Sequence, residues 1–480
     1  MLDTAVDPSI PPCVLEDVLN GAPRVQRLEA KAGSASWDAE LREAGRDYGL
    51  WQQSEGELEE AFFAVDLGCI LQKYQRWHEC FPRVKPFYAV KCNSSTMILR
   101  TLSHLGGCGF DCASRAEIDQ VLACGVSPDR IIYANPCKSQ SDLEYAISRG
   151  VMTMTFDAEE ELDKIIEAQE QSKGEDGDDD SCRVQLVLRL RVPDSDSYCP
   201  LGEKFGAPIG VCSSLITLCK QRNLDLVGLS FHCGSGCFNA SAYPTAIKVA
   251  RQVFDMAASQ GVQISLIDIG GGFPGWDGSE CPYQSGSEDK AWPLPLSLDD
   301  VADAANDTLD SLFPAGPDGV ALIAEPGRYL VEASHSLFCR VYATRTVRVV
   351  AQDSEEAAKS VLAYFVGEGV YGCFKDSVLC GVEWLPSPIA LVDNPPCDTQ
   401  TGCCGLCERS QDECIVVGPS GAAGDIVAHM KQGLGEEGCG CLRSGSLLYV
   451  SRMGAYTSSI ASTGASQARK NVFYLVSSPT

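Results

Sequence analysis

The sequence predicts an α/β plus all-β chain: a (β/α)8 barrel followed by a separate β domain. Three observations lead there. Nearly continuous apolar runs recur from residue 62 onward, "FFAVD", "PFYAV", "RIIYA", "VMTMTF", "VQLVLRLR", "LVGLSFH", "ISLIDIGGG" and "VALIAEPG". Stretches of helical spacing separate most of them, such as "SRAEIDQVLACG", "SDLEYAISRG" and "YPTAIKVARQVFDMAASQ". Strands buried on both faces and alternating with amphipathic helices belong to a parallel sheet, and about eight such units suit a closed barrel better than an open sheet. From about residue 335 the alternation stops, and "SLFCRVYATRTVRVVA", "SVLAYFV", "IALV" and "SLLYVS" follow without helices between them.

Taken in order, residues 1–60 have no strong period and are expected to begin with strands that join the β domain. Residues 61–334 are expected to form the barrel. Residues 335–480 are expected to form the β domain, a sandwich or small barrel with a Cys-rich insertion near 393–413. A chain of 480 residues is too long for one ordinary domain, which agrees with this division. Polar insertions at 170–182, 277–298 and 393–413 read as surface loops, because closure entropy grows slowly with loop length.

Hydrophobic residues make up 45% of the chain, enough for a packed core. The net charge of −27 argues against nucleic acid, which needs a basic surface. Part of that charge lies in "KGEDGDDDS", a solvated loop. No apolar run approaches the ~18 residues of a membrane span. The opening "MLDTAVDPSIPPCVLEDVL" has neither the basic nor the apolar region of a secretory signal, so a cytoplasmic location is expected. The 25 cysteines are then read mostly as small buried hydrophobes or free thiols. One cluster, "CDTQTGCCGLCERSQDEC", holds Cys397, Cys403, Cys404, Cys407 and Cys414. Cys404-x-x-Cys407 has no second pair or His to complete a ligand set, so an irregular loop is expected there and no metal.

In a barrel, residues just past the strands converge on one end. "PFYAVKCN" ends a strand with Lys91, "LSFHCGSG" with His232, "LIDIGGGFPG" with Gly270, Gly271 and Gly272, and "IAEPGRYL" with Glu325 and Arg328. Alone, Lys91 also reads as a solvated strand end, His232 as a structural histidine and the glycines as a plain turn. As a set they have one coherent meaning, the requirements of pyridoxal phosphate. A Lys amine forms the Schiff base, glycine amides approach the phosphate, an imidazole stacks on the ring, and a carboxylate keeps the ring nitrogen protonated.

The motifs "PFYAVKCN", "GFDCASRAEI", "RIIYANPCK", "KFGAP", "SFHCGSGC", "DIGGGFPG", "AEPGRYLV", "YGCF" and "RMGAYT" carry a resemblance that covers nearly the whole chain from about residue 60. The sequence resembles the fold III pyridoxal-phosphate amino-acid decarboxylases, and within them the eukaryotic ornithine decarboxylases. The resemblance implies decarboxylation of L-ornithine to putrescine in polyamine biosynthesis. It implies Lys91 as the Schiff-base lysine, Glu325 as the partner of the ring nitrogen and His232 as the stacking ring. Ser235, Gly272, Arg328 and Tyr456 would hold the phosphate with neighbouring glycine amides. Asp111, Glu117 and Arg189 match positions that shape the cofactor site, and Asp268 lies just before the glycines. Tyr371, Cys380 and Asp425 fall at substrate-side positions. Lys204 matches a subunit-contact lysine, so a homodimer with shared active sites is implied, and an antizyme-like regulator is conceivable from the family.

The match fails on the substrate side. In the family, the loop after the Gly-Pro turn carries a Cys that reprotonates the carbanion and an Asp that helps hold the distal amine. In "VVGPSGAAGD", aligned on "GPS" and Asp425, those positions are Gly421 and Ala422. The other amine-binding Asp of the family falls on Cys380. Three readings follow: a decarboxylase that uses water, His232 or another residue as acid, with Asp376, Cys380 or Cys397-Asp398 compensating in part; an enzyme for another amino acid; or a binding protein resembling antizyme inhibitors. General acid catalysis contributes about 10²–10⁴-fold, so its loss slows or misdirects the reaction without abolishing it.

Overall fold

A helix that the hydrophobic count does not reveal lies near the start of the described residues. Between strands β1 (Val25–Leu28) and β2 (Phe62–Asp66) runs a helix at Trp37–Ser54. Its inner stripe is Leu41, Ala44, Gly45, Tyr48 and Gly49, spaced by three and four residues. Small side chains dominate the stripe, so its period is faint on an apolar scale. The packing demands them: a Cβ at Gly45 would lie 2.0 Å from the Phe338 ring, and one at Gly49 2.6 Å from Leu447. Among the described residues, 1–60 hold one short strand, which pairs with the strand Val472–Ser477, and this helix, which the sequence did not lead one to expect. In this computed structural model the described residues are 25–28, 37–54, 61–172, 183–275, 296–316, 319–349, 359–382, 384–389, 413–430, 442, 444–462 and 472–477. The insertions therefore lie largely outside the description, as do Cys397, Cys403, Cys404 and Cys407 of the cysteine cluster. The described residues fall into two compact units, one within 70–331 and one combining 25–69 with 332–477.

The first unit is a closed parallel barrel. Its strands are β3 (Val84–Ala89), β4 (Gly109–Cys112), β5 (Ile131–Tyr133), β6 (Thr153–Phe156), β7 (Gln185–Arg189), β9 (Asp225–Ser230), β11 (Leu266–Asp268) and β12 (Ala321–Ala324). β12 closes on β3 through the pair Leu322↔Val84. Strands β8 (Ser197–Cys199), which follows β7, and β10 (Ser235–Cys237), which follows β9, leave the barrel wall and pair antiparallel with each other. Eight strands were expected and eight are present, but the membership differs. "FFAVD" is β2 and belongs to the other unit, whereas "GFDC" is β4 and stands in the wall. A fully buried apolar strand reads alike in either setting, and "GFDC" is short and carries Gly and Asp, which are depleted in strands.

Phe87, Ile132, Ala134, Val187, Leu266 and Ile323 fill part of the barrel interior. Helices alternate with the wall strands, and several start on a serine cap. Ser114, Ser139 and Ser297 each accept a hydrogen bond from an amide three residues on, which satisfies one of the unpaired first-turn donors. Among the described residues no helix is long and apolar enough to cross a membrane.

The second unit is a mixed sheet. Strands β13 (His335–Val349), β14 (Lys359–Val366), β15 (Ser387–Ile389), β16 (Cys414–Val417), β17 (Ile426–Met430), β18 (Leu447–Val450) and β19 (Val472–Ser477) join β1 and β2. The order is β1-β19-β2-β13-β14-β16-β17, with β18 pairing β13 and β15. β13 spans two neighbourhoods: its first residues pair with β2 and β18, and its later ones with β14 past an irregularity at Val341/Ala343. Leu41, Phe62, Phe338, Leu447, Tyr449 and Phe473 pack together on one face.

Candidate active site

The ends of the barrel strands bring together most of the residues that the motifs single out. Lys91 sits on a single 3-10 turn, Val90–Cys92, just past β3. Its ammonium is ion-paired with Asp111 of the neighbouring strand β4. Asp111 is fully buried, and its Oδ1 meets no donor among the described residues. Such an oxygen is costly to bury, and it marks the site as built for something further. Glu117 occupies the first turn of the helix Arg115–Ala123, where its Oε2 accepts the Ala113 amide at 2.6 Å. Burial raises its carboxyl above the usual range. Arg189 ends β7 with its guanidinium 5.0 Å from the centre of the Phe205 ring, a cation–π distance.

His232 follows β9. The Gly234 amide donates to its Nδ1 at 2.9 Å, which places the ring proton on Nε2. Burial, and then the positive charges of Arg189 and Lys91, push the imidazole well below its ordinary value, so the ring is neutral at physiological pH. Its Nε2 would lie 2.7 Å from a Cβ at Gly271. Only glycine there leaves room for the ring. Gly270 and Gly272 both have positive φ, +66° and +104°. The glycine turn is stitched to its neighbours by Cys237 N–H to Gly272 O at 3.0 Å, Tyr243 O–H to Gly271 O at 3.3 Å and Glu325 N–H to Gly270 O at 2.7 Å. Ser235 begins β10 beside this turn, and Arg328, buried, opens the short helix Arg328–Val331.

Glu325 and Asp268 meet below the glycines. The Asp268 side chain is bonded to Glu325, and its Oδ1 accepts the Gly270 amide at 2.8 Å. Burial and the neighbouring carboxylates raise both acids, Asp268 to about 7 and Glu325 further. Lys91 and Arg189 oppose this without reversing it. A primary amine, a neutral imidazole face, a buried acid pair, a buried arginine and close-packed glycine turns thus share one barrel end. This set fits an anionic, aldehyde-bearing, ring-containing cofactor: the Lys91 amine can meet an aldehyde, and the tight glycine turns, where side chains would clash, let a ring and an anionic group come close to the backbone.

Residues 67–332 match the family described as pyridoxal-dependent decarboxylase, pyridoxal binding domain. The chain belongs to the pyridoxal-dependent amino-acid decarboxylases. Pyridoxal 5'-phosphate is its cofactor. It is 37% identical to an ornithine decarboxylase of Rattus norvegicus over 445 residues, 90% of this chain and 84% of that one. It is 43% identical to antizyme inhibitor 2 of Xenopus laevis over 323 residues, 67% of this chain and 64% of that protein. Among solved structures, the arginine decarboxylase of Paramecium bursaria Chlorella virus bound to agmatine superposes with a TM-score of 0.69 at 28% identity, covering 87% of this chain and 97% of that chain.

The remaining predicted residues of this decarboxylase lie in the second unit. Tyr371 is about half exposed on a turn closed by Gly372 N–H to Gly369 O, and its carbonyl accepts the Ser462 amide at 3.1 Å. Tyr456 and Arg452 bracket "RMGAY" with left-handed backbone, φ +52° and +60°. Residues without glycine's freedom are held there only when the surroundings enforce it. Two expectations need correction. Asp425 is 1% exposed, and its carboxylate is engaged by the amides of Val370 at 2.8 Å and Ser420 at 2.9 Å. It clamps the 418–425 loop to the Tyr371 turn and has no oxygen free of backbone partners to offer a substrate amine. Cys380, the last residue of the short helix Asp376–Cys380, is held in a disulfide and presents no thiol. Cys199 is likewise in a disulfide, which departs from the reading of the cysteines as free thiols. Asp376 is buried in the first turn of that helix, and Lys204 is exposed.

Gly421 and Ala422 stand at the exposed tip of the clamped loop. Gly421 has φ +70°, and nothing lies within 4 Å of a Cβ built there. The loop therefore keeps its shape without any reactive side chain.

The sequence missed the contact between Asp268 and Glu325. It also missed the buried network of Lys138, Glu161 and Lys164. In that network Lys138 Nζ lies 2.8 Å from Glu161 Oε1 and donates to Thr155 O at 2.7 Å and Asn135 O at 2.9 Å. The signal for it was the lysine of "NPCK", which composition alone cannot distinguish from a surface lysine.

Proposed function

We propose that this chain decarboxylates L-ornithine to putrescine, with the cofactor held covalently at Lys91. The observation that carries the reading is the convergence of Lys91, His232, the Asp268–Glu325 pair and the glycine turns on one barrel end. Likeness to ornithine decarboxylases over most of the chain supports the choice of substrate. When bound, the cofactor supplies the electron sink that C–C cleavage requires.

The chain's own groups then have separate tasks. Asp111 orients the Lys91 amine toward the aldehyde. His232, neutral and close against Gly271, would cover one face of the ring and keep water from it. Glu325 holds a proton at the ring nitrogen. Arg328, Ser235 and the glycine amides would bind the phosphate, a task the resemblance also gives to Tyr456. With no acid at Gly421 or Ala422, and with His232 held neutral by burial, water would supply the proton for the carbon that loses CO₂. A homodimer completes the site, and an antizyme-like protein is the regulator in this reading.

A second reading, a binding protein like the antizyme inhibitors, is favoured by the bare Gly421-Ala422 tip and by the similarity to the Xenopus laevis protein. One pair of substitutions separates the two. Gly421→Cys with Ala422→Asp puts an acid and an amine partner at the loop tip. The left-handed backbone at Gly421 costs roughly 1 kcal/mol for a side chain, and no clash adds to it, since nothing lies within 4 Å of a Cβ there. The decarboxylase reading expects putrescine from the wild type and at least a ~10-fold faster rate from the double variant, within the usual range of acid catalysis. No putrescine from either protein contradicts decarboxylation and leaves the binding reading.

A further inference from the structure

We propose that Asp268 and Glu325 form a single carboxyl–carboxylate pair that stores one proton in the empty site and hands it to the cofactor's ring nitrogen. Asp268 is then the positioning residue that keeps Glu325 charged with that proton. The inference rests on the reading of Glu325 as the ring-nitrogen partner and adds where its proton comes from.

Three observations carry it. Both acids hang on one residue. The Gly270 amide donates to Asp268 Oδ1 at 2.8 Å, and the Gly270 carbonyl accepts the Glu325 amide at 2.7 Å. The spacing of the pair is thereby set by a glycine at which a Cβ would fall 1.9 Å from Phe231 O. Next, Asp268 is fully buried, and its Oδ2 meets no amide, hydroxyl or ammonium among the described residues. What the Asp268 side chain meets is Glu325, and a proton shared by the two acids gives the pair the donor that no other group there supplies. Last, two touching buried carboxylates do not both ionise until a further cation meets them.

The surrounding charges are Asp111 from β4, Lys91 after β3 and Arg189 at the end of β7, with the neutral His232 after β9. The two cations favour ionisation of one acid of the pair, and Asp111 opposes the loss of the last proton. On transfer, the Glu325 O–H bond breaks and the ring N–H bond forms. Glu325 becomes a carboxylate facing the new cation, and Asp268 stays a carboxylate throughout.

The test is a titration of the apo protein with pyridoxal phosphate over a range of pH, followed by tryptophan fluorescence, for wild type and Asp268→Asn. Asparagine still accepts the Gly270 amide, and its Nδ2 donates to Glu325, which stabilises the carboxylate and removes the like charge. The pH at which affinity falls should move down by about one unit or more in the variant. Lys91 and the cofactor's own groups titrate in both proteins and cancel in the comparison. Equal midpoints, with affinity merely weaker at every pH, would show that Asp268 only braces the glycine turn and would overturn the proposal. A wild type that takes up no cofactor defeats the functional reading itself, and this inference with it. A second measurement needs no variant of Asp268. The infrared spectrum of apo wild type should show a protonated-carboxyl C=O band at neutral pH that Glu325→Gln removes, and absence of that band overturns the pair.

Discussion

At the scale of single residues, the site is governed by which groups are neutral and which are charged. His232 is kept neutral by burial and by two nearby cations, so it offers a flat face and one N–H and is no cation beside the ring. Lys91 is held by Asp111 in a spot open enough for a ligand to reach. Lys91→Ala should therefore abolish the visible absorbance of the cofactor-loaded protein while leaving the barrel folded, as checked by far-UV circular dichroism. A folded variant whose visible spectrum matches wild type would contradict the assignment of Lys91. The residue types at strand ends were legible in the sequence, because Lys, His, Gly and Glu are conspicuous after apolar runs. Which of them touch was not. Asp268 read as a neighbour of the glycines, and its bond to Glu325 depends on a backbone turn that brings β11 and β12 ends together. Asp425 and Cys380 show the same limit, since a sequence does not tell whether an Asp faces a ligand or two backbone amides, or whether a Cys is a thiol or half of a disulfide.

At the scale of elements, the helices at Gln140–Ser148 and Glu159–Ser172 are tied to the barrel wall by a buried ion network. Lys138 is fully buried and Glu161 nearly so, while Lys164, 2.5 Å from Glu161 Oε2, is part exposed. Burial lowers the Lys138 ammonium, and Glu161 opposes that shift. A buried pair adds little over an apolar pair, but removing one partner strands the other. Lys138→Met should accordingly lower unfolding stability by about 3–5 kcal/mol, measured by urea denaturation. A loss below about 1 kcal/mol would mean that Lys164 satisfies Glu161 alone. The helix at Trp37–Ser54 shows the opposite case, in which an element escaped the hydrophobic count. Its buried stripe is small because Phe338 and Leu447 need the volume, and periodicity arguments weigh side-chain size as much as position.

At the scale of the whole molecule, both architectures were legible: alternating strands and helices for the barrel, and strands without helices for the sheet. The boundary between them was less so. β2 reads as a barrel strand because burial on both faces looks the same in either sheet, and the pairing that assigns it, with β13 and β19, joins residues far apart in sequence. Lys91, His232, the acid pair and the glycine turns share one barrel end, and the loop at 418–425 is clamped by Asp425 with no acid at Gly421 or Ala422. That combination makes the fate of the proton the central question, because protonation at the wrong carbon would turn decarboxylation into transamination. The deciding measurement is the ratio of CO₂ to putrescine released from L-ornithine by the cofactor-saturated protein in a single reaction. Equal amounts are the predicted result, a decarboxylase that places its proton correctly without the usual loop acid. CO₂ in clear excess over putrescine, or neither product from protein that carries the cofactor, would contradict it.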